Sequence, residues 1–91
     1  MQYRFQATRT FWRSLSKLSL QKQQRAREVF RIFRENPFDP RLGTHRIHKL
    51  SARYGQTIYT VEIEADLRAV FLLKGHTAVT LDIGSHDVYR G

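Results

Sequence analysis

Four side chains in the second half of the chain, Glu62, Arg68, His86 and Tyr89, are of the types that phosphodiester cleavage requires. Breaking an RNA backbone through its 2′-hydroxyl needs a base to take the hydroxyl proton and a cation to hold the charge growing on the phosphate. It also needs an acid to protonate the departing 5′-oxygen. Histidine can serve in either proton role because its unperturbed pKa is about 6.5. Arginine offers a planar fork that matches two phosphate oxygens, and tyrosine can stack on a base. Two of these positions also break an apolar pattern. Arg68 interrupts the nearly continuous apolar run Leu67 to Leu73, and His86 lies just past the last alternating stretch.

Purely structural roles are open to the same residues. Arg68 can pair with Asp66 or Glu64, a histidine near a chain end is commonly solvated or capping, and Tyr89 can cover the edge of a core. What separates the two readings is position, and position depends on the elements that carry these side chains.

Residues 2 to 7 alternate enough, through Tyr3 and Phe5, for a first strand. From Thr8 the period becomes helical, with Phe11, Leu15 and Leu18 on one stripe and Trp12 beside them. Ser19 has the chemistry of an N-cap, and Ala26, Val29, Phe30 and Phe33 give Leu20 to Asn36 an apolar face opposite a basic one. The sequence N-P-F-D-P stops this helix, because each proline disfavours helix in the residue before it. After a loop through Gly43, His45 to Leu50 reads as a short strand and Ser51 to Gln56 as a loop around Gly55. Thr57 to Glu64 alternates with period two, Leu67 to Leu73 is apolar on both sides and so central, and Val79, Leu81 and Ile83 alternate in a last strand.

The order predicts an α+β domain spanning 1–91: an N-terminal strand, a two-helix hairpin, then a three-to-four-stranded antiparallel sheet with the helices on one face and the other partly open. If the last two strands pair through the turn at Gly75, the start of the first adjoins the end of the second, so Arg68 and His86 become neighbours. The preceding hairpin brings Glu62 or Glu64 to the same sheet end.

Composition narrows the partner. Sixteen Lys and Arg, most of them Arg, against eight Asp and Glu give a net charge of +8, which predicts a polyanionic partner, nucleic acid first and an acidic protein second. Apolar residues at 41% and aromatics at 12% exclude disorder. Without cysteine there is no disulfide framework, which fits a reducing cytosol. M-Q-Y-R-F-Q is no signal-peptide core, and no apolar run approaches the roughly 20 residues a membrane span needs. The expectation is a cytoplasmic protein with no membrane partner. His45, His48 and His86 invite a metal reading, but none share helical i, i+4 spacing and no cysteine joins them, so no metal and no cofactor are expected. Phosphate-loop, dinucleotide and serine-hydrolase signatures are absent.

Four stretches, F-W-R-S-L-S-K-L, N-P-F-D-P-R-L-G-T-H-R-I, L-R-A-V-F and D-I-G-S-H-D-V-Y-R, taken in this order and spacing, give the chain a family likeness over nearly its whole length. It resembles the RelE/ParE superfamily of type II toxin–antitoxin toxins, in particular the RelE-like branch that ends in G-x-H-D-x-Y-R. The resemblance implies an mRNA interferase: a metal-independent endoribonuclease that cuts mRNA in the ribosomal A site, leaves a 2′,3′-cyclic phosphate, and is held in check by an acidic cognate antitoxin. Carried onto this sequence, it implies that Arg68 stabilises the transition state, that His86 is an acid or base, and that Tyr89 orients RNA. His45, His48 and Lys49 fall where relatives place lysines, histidines or an acid, and with Arg46 and Arg90 they would contact the substrate. The strand Thr57 to Glu64 departs from the lysine-lined pattern of several ribonuclease relatives: either Glu62 is the general base or RNA affinity is weakened. ParE-like members share the fold, lack the nuclease residues and act on DNA gyrase; the alternative functions are such a gyrase inhibitor or a non-toxic basic binding module of the same fold.

Overall fold

The structure, a computed structural model, describes residues 3–85 and residue 88. Strand β1 (Arg4–Ala7) leads into helices α1 (Arg9–Ser16) and α2 (Leu20–Glu35). A 3₁₀ turn (Pro40–Leu42), a two-residue strand β2 (His45–Arg46) and helix α3 (His48–Tyr54) follow. The remaining strands are β3 (Ile58–Glu64), β4 (Leu67–Lys74) and β5 (Thr77–Gly84). They make one five-stranded sheet in the order β1-β5-β4-β3-β2, with β4 in the centre as its two-sided apolarity predicts. β1 runs parallel to β5, so the N-terminal strand joins the same sheet as the meander, while every other neighbouring pair is antiparallel.

Local chemistry explains where the helices begin and end. The Thr8 hydroxyl accepts the Phe11 N–H at 3.1 Å and donates to Leu81 O at 2.8 Å, so the residue that caps α1 also fastens it to β5. Ser19 caps α2 by accepting the Lys22 N–H at 3.2 Å, as the sequence suggests. The helix stops at Asn36, the residue before Pro37. Asp39 then caps the 3₁₀ turn: its carboxylate accepts the Arg41 N–H at 2.9 Å and two guanidinium N–H bonds at 2.9 and 3.0 Å.

Alternation along β4 divides the core into two faces. Leu67, Ala69, Phe71 and the half-buried Leu73 meet α1 and α2 in a cluster that includes Phe11, Ala26, Val29 and Phe33. Rings hold its centre together, with Phe33 lying 4.9 Å from Phe71 and 5.4 Å from both Phe5 and Phe30, all edge-on. On the opposite face Val70 and Leu72 pack with Ile58 and Leu50.

Two elements depart from the sequence expectation. His45 to Leu50 is not one strand: pairing stops after Arg46, and α3 begins at His48. Read at helical spacing, Ile47, Leu50 and Ser51 fall on one side, and the short alternation of mixed polar residues concealed this. Ile47 donates its N–H to Ile58 O at 2.8 Å, Leu50 is buried, and Gly55 ends the helix at φ +66°, a left-handed conformation that costs glycine nothing. As a result, α3 covers the second sheet face at one end and leaves it partly open, as expected. The last strand also has a bulge that simple alternation does not show. Val70 opposes Asp82 and Phe71 opposes Thr80, leaving Leu81 as the extra residue. Val79 and Leu81 therefore join the second cluster, whereas Ile83 returns to the first.

One hydroxyl also ties α3 to β3. Ser51 Oγ donates to Ile47 O at 2.7 Å and accepts the Ile58 N–H at 2.8 Å. Ser51→Ala removes both bonds and leaves the amide of a fully buried residue unpaired, so urea denaturation should show a loss of about 1–3 kcal/mol. An unchanged midpoint would contradict this role. At the 3₁₀ turn, hydrogen bonding from Arg41 lowers the Asp39 pKa to about 2. Because the folded value is depressed, the contribution of this contact is present above the ordinary carboxylate range and is lost as pH falls toward 2. A carboxyl-carbon NMR titration should place Asp39 near that value, and Arg41→Ala should return it toward about 3.9.

Candidate functional site

Arg68 sits where the two hairpins of the sheet meet. Across β3 it opposes Glu62, and across β5 it opposes Gly84, which offers no side chain. Its neighbours Leu67 and Ala69 point into the first cluster, so Arg68 faces the other side of the sheet, away from α1 and α2. Nη1 donates to Glu64 O at 2.6 Å and Nη2 lies 3.3 Å from Glu62 Oε1. The arginine side chain is 12% exposed and the glutamate 50%, so the cation is recessed and its partner is wet. Arg68 thus pairs with the side chain of Glu62 and the main chain of Glu64.

A register shift between Glu62 and Glu64 leaves Ile63 as the extra residue of β3. Ile63 remains buried in the first cluster with Val61, and Glu62 between them opposes Arg68 on the other face by ordinary alternation. Glu62 is confined from its other side by Gly43. That glycine follows the 3₁₀ turn at φ +59°, and a Cβ at this position would collide with the Glu62 carboxylate. The carboxylate therefore lies between a bare Cα and a guanidinium. Gly43 O is also 3.0 Å from His45 Nδ1.

The pairing register arranges the remaining candidates. His45, Thr60, Val70 and Asp82 form one cross-strand row, and Glu62, Arg68 and Gly84 form the next. Residues opposite one another in an antiparallel sheet share a face, so His45 and Asp82 border the ion pair. Between them lie Thr60, fully buried with its hydroxyl donating to Ala69 O at 3.2 Å, and Val70. Arg46 opposes Tyr59, which packs on the first cluster, and so belongs to the other face. His48 and Lys49 are exposed on the first turn of α3, not on a strand beside His45.

His86, Tyr89 and Arg90 lie outside the described residues. Within the described part of the terminal segment, Val88 packs against the second cluster, its N–H donates to Ser85 O at 3.0 Å, and its Cβ is 3.9 Å from the position a Cβ on Gly84 would take. Val88 therefore lies on the face that carries Arg68. Among the described residues no three His, Asp or Glu side chains converge as a metal site would require, and no helix is long and apolar enough to cross a membrane. The arrangement offers a recessed cation, an adjacent solvent-accessible carboxylate and a nearby imidazole on the half of the sheet that α3 leaves uncovered. Sequence reading missed Gly43, whose only signal was its place at the end of a proline-containing turn.

No family model and no curated protein sequence matches the chain. Solved structures do. The archaeal RelE–RelB complex from Pyrococcus horikoshii superposes with a TM-score of 0.72 at 16% identity, over 93% of this chain and 96% of that one. The DinJ–YafQ toxin–antitoxin complex of Escherichia coli gives 0.73 at 12% identity, covering 100% of both chains. The fold is that of the RelE/ParE toxins. A YoeB/ParE toxin from Agrobacterium tumefaciens shares it, with a TM-score of 0.69 at 12% identity over 91% of this chain and 98% of that one. At such identities the likeness is one of backbone. Within the RelE/ParE fold, the ion pair and its glycine neighbour are features of this chain's own side chains.

The Gly43 contact makes a quantitative expectation. Gly43→Ala should destabilise the fold and displace the Glu62 carboxylate, whereas Glu62→Ala removes the atoms it would strike. In a double-mutant cycle the two losses should be non-additive by about 0.5–3 kcal/mol in urea unfolding. Strict additivity would show that the carboxylate is not held against Gly43.

Proposed function

We propose that the chain is the toxin of a type II toxin–antitoxin pair and acts as an endoribonuclease on mRNA, with Arg68 as the phosphate clamp. The observation that carries this reading is the recessed guanidinium of Arg68, oriented by Glu64 O and Glu62 and placed at the rim of a partly open sheet face. The fold supports it, since structures of the same architecture include toxins solved with their antitoxins. The charge of +8 suits both an RNA substrate and an acidic antitoxin.

In the proposed reaction the ribose 2′-oxygen attacks the adjacent phosphorus and the bond to the 5′-oxygen breaks, leaving a 2′,3′-cyclic phosphate and a 5′-hydroxyl. Glu62, half exposed beside the clamp, takes the 2′-hydroxyl proton, and His86 returns a proton to the leaving oxygen. Arg68 turns its fork from the Glu62 carboxylate to the phosphate oxygens, where charge accumulates in the transition state. Tyr89 stacks on a base, while His45, His48, Lys49 and Arg90 follow the RNA backbone; Arg46, on the other face of the sheet, takes no part. The setting is the cytoplasm and the substrate is mRNA in the ribosomal A site.

Sequencing of 5′-hydroxyl RNA ends after induction without the antitoxin tests the reading. The wild-type chain should produce new ends within coding regions. Arg68→Ala should reduce them by about 10²-fold or more, and His86→Ala and Glu62→Gln by about 10²–10⁴-fold. Intact mRNA accompanied by loss of DNA supercoiling would instead assign the gyrase-inhibiting role.

A further inference from the structure

The bulge in β5 decides which face of the sheet carries Asp82. Along a regular strand, alternation from Val79 and Leu81 would turn Asp82 toward the helices and Ile83 onto the other face. Because Leu81 is the extra residue, Leu81 and Asp82 both stand on the Arg68 face, and Ile83 packs in the first cluster instead. Asp82 opposes Val70 while Gly84 opposes Arg68. Asp82 is therefore the diagonal cross-strand neighbour of the arginine, about 7–8 Å away between Cα atoms.

Three properties set this carboxylate apart. It is half-buried, and among the described residues no cation pairs with it, although the chain holds sixteen Lys and Arg. Arg68 itself turns the other way, to Glu62 and Glu64 O on β3. Asp82 Oδ1 accepts the Ile83 N–H at 2.8 Å, which fixes the direction of the group. Two half-buried apolar side chains, Leu81 and Val88, lie on the same face.

We propose that Asp82 is a specificity-determining residue that reads guanine at the base beside the phosphate held by Arg68. The inference deepens the proposed mRNA cleavage by naming the base that is selected, and it rests on that reading. A fixed anion on a face that receives a polyanion repels the phosphates, so its partner is a base edge. A carboxylate only accepts hydrogen bonds, through two neighbouring oxygens, and Oδ1 keeps a second lone pair beside the one that Ile83 uses. In single-stranded RNA the Watson–Crick edges are open. Guanine alone presents two adjacent donors there, N1–H and the 2-amino group. Adenine and cytosine set a ring-nitrogen acceptor next to a single amino donor, and uracil sets its N3–H between two carbonyls, so each turns a lone pair toward the carboxylate. Leu81 and Val88 give the ring apolar surface to lie on.

The test is binding, followed by fluorescence anisotropy, of end-labelled pentanucleotides with uracil at four positions and guanine, hypoxanthine, adenine or uracil in the centre. All carry 2′-deoxy sugars, so none can be cut. Wild type should prefer guanine to uracil by about tenfold, and hypoxanthine, which lacks only the 2-amino group, should lose most of that preference. This comparison needs no variant. Asp82→Asn keeps an oxygen for the Ile83 N–H but exchanges one acceptor for a donor, so it should lose the guanine preference and gain one for adenine. Asp82→Ala, which removes the repelling charge, should bind the all-uracil pentamer at least as tightly as wild type. The proposal is overturned if wild type binds all the pentamers alike, if hypoxanthine replaces guanine without loss, or if Asp82→Asn keeps the guanine preference. It is also overturned if Asp82→Asn and Asp82→Ala weaken every pentamer equally, the result of a structural role. Failure of the nuclease reading is separable. Guanine-selective binding without new 5′-hydroxyl RNA ends removes that reading and leaves Asp82 as a reader of bound RNA, whereas cleavage with no base preference that Asp82→Asn alters removes the Asp82 assignment alone.

Discussion

A guanidinium inserted into the central strand of a small sheet constrains everything around it. Taking a cation largely out of water costs several kcal/mol unless partners replace the lost hydration. Arg68 meets that demand with one main-chain acceptor, Glu64 O, and one carboxylate, Glu62. Both come from β3, so the hairpin that carries the arginine also solvates it. The compensation is incomplete: the carboxylate is half in water, where its attraction to the cation is screened.

The rest of the chain keeps this pair in register. Alternation along β3 puts Glu62 on the Arg68 face while Val61 and Ile63 stay in the main cluster. Gly84 keeps the β5 side of Arg68 free of a side chain, and Gly43 leaves room for the carboxylate. Gly43 can do so because the preceding turn is fastened at Asp39 and Arg41. On the far side of the sheet, Phe33 and Phe71 anchor α2 against β4. The aromatic core thereby fixes the strand that carries Arg68. The sheet separates two surfaces of different chemistry, a charged one around Arg68 and an apolar groove that β1 forms with α1 and α2, bordered by arginines.

Much of this was legible because period and punctuation agree. Ser19 and N-P-F-D-P mark the ends of α2, the two-sided apolar run Leu67 to Leu73 marks the central strand, and antiparallel pairing alone places Glu62 next to Arg68. Four features were not legible, each for a physical reason. The start of α3 is hidden because H-R-I-H-K-L carries so few apolar residues that periods of two and of 3.6 both fit. The bulge at Leu81 is a property of pairing between strands, which one strand's alternation cannot encode. The Gly43 contact joins residues far apart in sequence through a backbone conformation, and the groove arises only when β1 meets two helices. Arg27, Arg31 and Arg34 of α2, which border that groove, consequently read from the sequence as a solvated face.

The central claim is that the Arg68 guanidinium leaves Glu62 for an RNA phosphate. It is tested most directly by observing the arginine Nε–H and the Glu62 carboxyl carbon by NMR while adding an oligoribonucleotide made uncleavable by a 2′-deoxy substitution at the scissile position. Saturable shifts of both resonances together, absent for the Arg68 signal in Arg68→Lys and reduced by salt, are the expected result. An Arg68 signal that stays unchanged while the RNA binds elsewhere on the chain would contradict it.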